Sequence, residues 1–94
     1  MSVPNSRKTY LISYDLKSSE KDYKDLFKTI KNFGNWWHYL DSTWIIKTNL
    51  SSGEIWSQLK KYFEGNDYLF IVEITKNYAG FLPKDAWKWI KEQF

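Results

Sequence analysis

Hydrophobic and polar positions alternate along Thr-Tyr-Leu-Ile-Ser-Tyr-Asp-Leu, residues 9–16, and that period of two predicts a strand. Tyr10, Ile12, Tyr14 and Leu16 fall on one face, and Leu11, Ser13 and Asp15 on the other. Ser18 and Ser19 then offer N-cap oxygens, with Asp22 three residues after Ser19 in a weak capping-box spacing. Tyr23, Leu26, Phe27, Ile30 and Phe33 recur at helical spacing, and Gly34 supplies the stop. Residues 36–48 form a β-rich block with a turn around Asp41-Ser42. Which tryptophan of that block points inward depends on the turn, because a slip of one residue reverses every side chain. Ser51 and Glu54 make a capping box that opens a second helix, with Ile55, Leu59, Tyr62 and Phe63 as its stripe. Gly65-Asn66-Asp67 ends it, and Tyr68 to Thr75 alternates again. A loop with Gly80 leads to Pro83, expected in the first turn of a last helix that carries Trp87, Ile90 and Phe94 on one side.

The order β-α-β-β-α-β plus a terminal helix predicts an α+β protein of the ferredoxin-like class. Its sheet would be four-stranded and antiparallel, with the first two helices on one face. Residues 1–8 read as an N-terminal extension, 9–75 as the ferredoxin-like domain, and 76–94 as a C-terminal loop and helix. The other sheet face would then carry an apolar patch of Leu11, Leu69 and Ile71, to be covered by the last helix or by a second copy of the chain. A homodimer is the expectation.

Ninety-four residues suffice for one domain, and 43% hydrophobic content suffices for a core. Cysteine is lacking, which excludes disulfides, a thiol nucleophile and thiolate metal sites, and suits a cytoplasmic setting. The segment Met1 to Lys8 has no apolar region of a secretory signal, and no apolar run approaches membrane-spanning length, so a soluble protein with no membrane partner is expected. The formal charge of +3 is mild. Arg7 is the sole arginine, so bidentate phosphate or guanine contacts would fall to it alone, with lysines acting as point charges. Lys17, Lys21, Lys24, Lys28 and Lys31 flank the first helix, but Asp22 and Asp25 interrupt them in the manner of a solvated face.

Asp15, at the end of the first strand, is the most informative acidic residue. A carboxylate there is a hard oxygen ligand suited to Mg²⁺; the competing reading is an Asp accepting backbone hydrogen bonds in the following turn. His38 is the single histidine, which excludes a multi-histidine metal site within one chain. Asp41 is near it in sequence, yet residues three apart on a strand face opposite sides. If strands one and three ran parallel, Asp15 would lie near Lys47 and Thr48, with His38 and Asp41 at the other edge. No P-loop, dinucleotide-binding glycine pattern, nucleophile elbow or zinc motif occurs.

Tyr10-Leu11-Ile12-Ser13-Tyr14-Asp15-Leu16 resembles the opening strand of the small CRISPR-associated ferredoxin-like proteins that accompany the spacer integrase. The likeness extends through Gly34, Asp41-Ser42-Thr43-Trp44, Ser51-Ser52-Gly53-Glu54 and Asp67-Tyr68-Leu69-Phe70, and covers roughly residues 9–75 by element order. It implies a symmetric homodimer in which two strand-end aspartates approach across a cleft. It further implies either a Mg²⁺-dependent endonuclease acting on RNA or DNA or a non-catalytic scaffold; the virulence-associated D-type toxins share the fold. Carried over, Asp15 would be the metal ligand and catalytic residue, with Ser42 supporting it. Arg7, Lys8, Lys17 and Lys47 are the candidate nucleic-acid contacts. The chain departs from the family pattern at Lys17-Ser18-Ser19-Glu20-Lys21, where an Arg-rich stretch is usual. It departs again at Trp36-Trp37-His38-Tyr39-Leu40, where Arg and Gln usually precede the Ser. The alternative expectation is a non-catalytic dimeric interaction or adaptor protein in a defence or mobile-element complex, motivated by aromatic content of 20% beside one Arg and one His.

Overall fold

The computed structural model describes residues 7–17 and 23–94. Among these, the chain runs β1 (Lys8–Asp15), α1 (Lys24–Lys31), β2 (Asn35–Leu40), β3 (Thr43–Thr48), α2 (Ser52–Leu59), β4 (Tyr68–Ile74) and α3 (Lys84–Glu92), with a 3₁₀ turn at Lys60–Tyr62 after α2. The strands form one antiparallel sheet in the order β2-β3-β1-β4. This α+β arrangement, with its C-terminal helix, fits the ferredoxin-like expectation. No helix among the described residues is long and apolar enough to cross a membrane.

Period-two alternation in the central strand β1 sends Tyr10, Ile12 and Tyr14 to one face. There they join Leu26 and Ile30 of α1, Trp44 and Ile46 of β3, and Ile55 and Leu59 of α2 in the main core. Each such side chain, fully buried, stabilises the fold by roughly 1.5–3 kcal/mol relative to exposure. The predicted capping box starts α2: Glu54 N donates to Ser51 Oγ at 3.1 Å, and Ser51 N donates to Glu54 Oε1 at 2.8 Å. For α1, the expected caps Ser18, Ser19 and Asp22 lie outside the described residues, and Tyr23 occupies the N-cap position without capping the helix, its hydroxyl donating instead to Asp67 Oδ1 at 3.5 Å. Pro83 likewise stands at the N-cap of α3, one residue before the predicted first turn.

The β4 register corrects the expected apolar patch. Tyr14 pairs with Leu69 and Ile12 with Ile71, so Leu69 and Ile71 share the face of β1 that carries the main core and pack against it. Tyr68, Phe70 and Val72 are the residues left outside, 64%, 65% and 39% exposed. Leu11 does lie on the outer face, opposite Val72. The last helix covers only part of that face, with Ala86 and Ile90 packed on Trp37 of β2 and Ile45 of β3. A hydrogen bond of 2.9 Å from Tyr39 Oη to Asp85 Oδ2 ties α3 to β2 as well.

The stop at Gly34 has a second cause besides helix termination. Its φ is +155°, and a Cβ there would sit 2.1 Å from the carbonyl oxygen of Lys47 on β3. Gly53, inside α2, has nothing nearer than Ser51 Oγ at 3.9 Å from such a Cβ. Gly34→Ala should therefore lower stability by about 2–3 kcal/mol through strain and displaced backbone. Gly53→Ala should raise it by about 0.5–1 kcal/mol through a less flexible unfolded chain. Urea unfolding of the two variants beside the wild type checks both signs.

Candidate functional site

Asp15 closes β1 on the outer face, directly across from Tyr68 of β4. Its side chain is 61% exposed. With Ser13, Tyr68 and Phe70 it borders a shallow groove of about 250 Å³. Lys17 Nζ lies 2.8 Å from Asp15 Oδ2, and the backbone N–H of Lys17 donates to Asp67 Oδ1 at 2.9 Å. The Asp67 carboxylate thus holds the turn that brings the ammonium to Asp15. The hydrogen bond to Asp15, then its charge, raises the pKa of Lys17 above the ordinary lysine value.

Strand direction places Ser42, Asp41 and His38 at this same end, contrary to the parallel alternative. β1 and β3 are antiparallel, Ser13 pairs with Thr43, and Tyr14 N donates to the Ser42 carbonyl at 3.1 Å. Ser42 is therefore a neighbour of Asp15, joined to β1 through its backbone. Lys47 and Thr48 are at the far end, opposite Thr9 and Lys8.

His38 reaches the same end on the other face. Its ring stacks on Trp44 with centroids 3.8 Å apart and planes 13° apart, and its Nε2 lies 3.1 Å from the Asp41 carbonyl oxygen. Trp44 in turn donates from Nε1 to Tyr14 Oη at 2.9 Å within the core. His38 is thus a lid over Trp44, with a backbone carbonyl as partner in place of the Asp41 carboxylate. The sheet separates it from Asp15.

The candidate phosphate-binding residues divide between the two ends of β1, which its rise sets roughly 24 Å apart. Lys17 is beside Asp15. Arg7, Lys8 and Lys47 gather at the start of the strand, where Arg7 Nη2 donates to the Lys47 carbonyl at 3.1 Å and Lys47 Nζ donates to the Gln93 carbonyl at 2.6 Å. Lys8 Nζ is 3.9 Å from Glu73 Oε1. Together with Lys76, which the sequence reading did not single out, they line a cleft of about 470 Å³. Only the β1–β4 register could have revealed Lys76, because it brings the end of β4 beside the start of β1.

A Mg²⁺ ion needs one or two carboxylates and retains several waters. Among the described residues of one chain, no three His, Asp or Glu side chains cluster to hold a metal. Asp15 is exposed and has a second oxygen, so its carboxylate suits half of such a site; a pair from two chains would complete it. Searches against family models, curated proteins and solved structures return no match to the chain.

Burial raises the pKa of Tyr14 above the ordinary tyrosine value, with the hydrogen bond from Trp44 opposing the shift and the charge of Asp41 adding to it. The unfolded chain therefore ionises this phenol first, at about pH 10. Stability is intact below that pH and falls as pH rises through the higher folded-state value. Tyr14→Phe should flatten this alkaline decline. It should also cost about 1–3 kcal/mol at pH 7, because Trp44 Nε1 loses its acceptor. Urea melts from pH 7 to 11 on both proteins check the two effects.

Proposed function

We propose that the chain is a ferredoxin-like, nucleic-acid-associated homodimer of the small CRISPR-associated type. Two Asp15 carboxylates, one from each chain, would hold a Mg²⁺ ion. The observation that carries this reading is the placement of an exposed Asp15 on the outer sheet face beside the solvent-facing row Tyr68, Phe70 and Val72. An apolar row of this kind is a cost in water that a second copy removes. Under a two-fold axis the same patch serves both partners, so each carboxylate beside the row is carried towards its mate. Lys17 would exchange Asp15 for a substrate phosphate when the metal binds. Bound there, Mg²⁺ supplies charge neutralisation at the phosphate and acidifies a water. The cleft formed by Arg7, Lys8, Lys47 and Lys76 adds a separate cationic contact for the strand, salt-dependent in strength.

The adaptor reading rests on a different observation, the 2.8 Å contact between Lys17 and Asp15, which already neutralises the carboxylate in a single chain. In that reading the dimer binds nucleic acid or a protein partner without cleaving.

Sedimentation velocity should find a dimer for the wild type and a monomer for Phe70→Glu, since a charge in the row cannot be covered without desolvation. A monomeric wild type at micromolar concentration overturns the dimer. Cleavage of RNA and DNA with and without Mg²⁺ separates the two functions. The metal reading expects chelation to abolish activity and Asp15→Asn to lower it by about 10²-fold or more. Equal cleavage by both proteins rejects Asp15, and a dimer that binds without cutting selects the adaptor.

A further inference from the structure

An apolar cavity of about 350 Å³ lies beneath α3, with no charged side chain among the described residues that line it. The cleft of about 470 Å³ at the start of β1 is its opposite. Arg7, Lys8, Lys47 and Lys76 line that cleft beside a single carboxylate side chain, Glu73. Together these five side chains carry a formal charge of +3, equal to the net charge of the whole chain. All other side chains balance, so the positive excess of the protein is concentrated in one cleft.

The cations are held in place rather than cancelled. Arg7 Nη2 and Lys47 Nζ each donate to a neutral backbone carbonyl, that of Lys47 and that of Gln93 respectively, which fixes the side chain without a full counter-charge. The Gln93 carbonyl closes α3, and a helix C-terminus offsets only part of a unit charge. Lys8 and Glu73 are 3.9 Å apart with side chains 57% and 48% exposed, a contact worth little in water. Lys76 is exposed and makes no hydrogen bond or ion pair with a described residue. Like charges gathered in this way repel one another, and an anion relieves the repulsion.

The charge and the volume narrow the class of anion. A terminal phosphoryl group carries about −1.5 to −2 near neutral pH, and two linked groups reach about −3. A carboxylate suits the Arg7 fork but brings one charge. An internal phosphodiester likewise brings one charge per nucleotide. The volume lies within the range of small-molecule sites, with room beyond the phosphates for what they are attached to.

We propose that this cleft binds a linked pair of phosphoryl groups, the chemistry shared by a free nucleoside diphosphate and the 5′-triphosphate end of an RNA strand. Arg7 and Lys76 donate to the phosphate oxygens, with Lys8 and Lys47 supplying further charge. With a strand as the source the inference rests on the nucleic-acid reading above; with a free nucleotide it stands alone. Neither source involves Asp15 or a metal.

Pyrophosphate, orthophosphate, ADP and AMP are titrated into the intact ¹⁵N-labelled protein in buffer with a chelator, which keeps metal out. Pyrophosphate should bind roughly tenfold more tightly than orthophosphate and shift the amides of Lys8, Thr9, Thr75 and Lys76. Arg7→Gln and Lys76→Gln should each weaken pyrophosphate roughly tenfold, the loss of one charge-assisted hydrogen bond. Lys28→Gln, which removes one charge from the exposed side of α1, should leave the affinity within about twofold. A preference for ADP over AMP assigns the nucleotide; a preference for RNA with a 5′-triphosphate over the same RNA with a 5′-hydroxyl assigns the strand end. Equal affinities for pyrophosphate and orthophosphate, equal weakening by Lys28→Gln, or no binding of pyrophosphate overturns the proposal. RNA that binds equally with either 5′ end, without pyrophosphate binding, keeps the nucleic-acid reading and rejects this one. Pyrophosphate binding without RNA binding does the reverse.

Discussion

The pairing of β1 with both of its neighbours is the constraint on which the rest of the molecule depends. Once Tyr14 faces Leu69 and Ile12 faces Trp44, the residues of β1, β3 and β4 are assigned to faces by parity alone. The even positions of β1 then meet α1 and α2 over a dry core. The odd positions, ending in Asp15, are left for α3 and solvent. A slip by one residue at either junction would bury Asp15 and Ser13 among isoleucines, at a desolvation cost no local contact could offset. The register is therefore held by the core and, in turn, delivers the carboxylate to the surface.

This division also explains why the polar chemistry is dispersed. Asp15 and His38 stand at the same end of the sheet yet on opposite faces, so the backbone layer keeps them apart. Basic residues gather at both ends of β1, and each group is partly neutralised locally, Lys17 by Asp15 and Lys8 by Glu73. What remains on the outer face is an apolar row beside one carboxylate, together with a separate apolar cavity beneath α3. Both features come from the same asymmetry: one helix covers one half of a four-stranded face.

Much of the architecture was legible because it depends on local signals. Period-two alternation located β1 and β4, the Ser51–Glu54 box fixed the start of α2, and Gly34 marked the end of α1. The inward face of β4 was not legible. Tyr68, Phe70, Val72 and Ile74 look as core-like as Leu69 and Ile71, because both sets are apolar, and only pairing with β1 separates them. The same ambiguity hid the tryptophans of β2. A register irregularity between Trp37 and Leu40 lets Trp36 lie by Trp44 on one face while Trp37 and Leu40 serve the cavity on the other. Asp15 was visible as a candidate because a carboxylate at the end of an apolar strand needs few neighbours to be noticed. The ion pair with Lys17 is local, but the Asp67 carboxylate that holds Lys17 in place comes from distant sequence and left no local trace.

The central claim is that two chains meet through the outer face beside Asp15. Because the chain has no cysteine, a single introduced thiol reports on one position only. Ser13→Cys places it on that face, and Ser57→Cys places it on the exposed side of α2. Under mild oxidation, the account predicts rapid disulfide-linked dimers for Ser13→Cys, as bridging demands Cα atoms within about 7 Å, and slow linkage for Ser57→Cys. Linkage of both at the same slow rate, or faster linkage of Ser57→Cys, would contradict it.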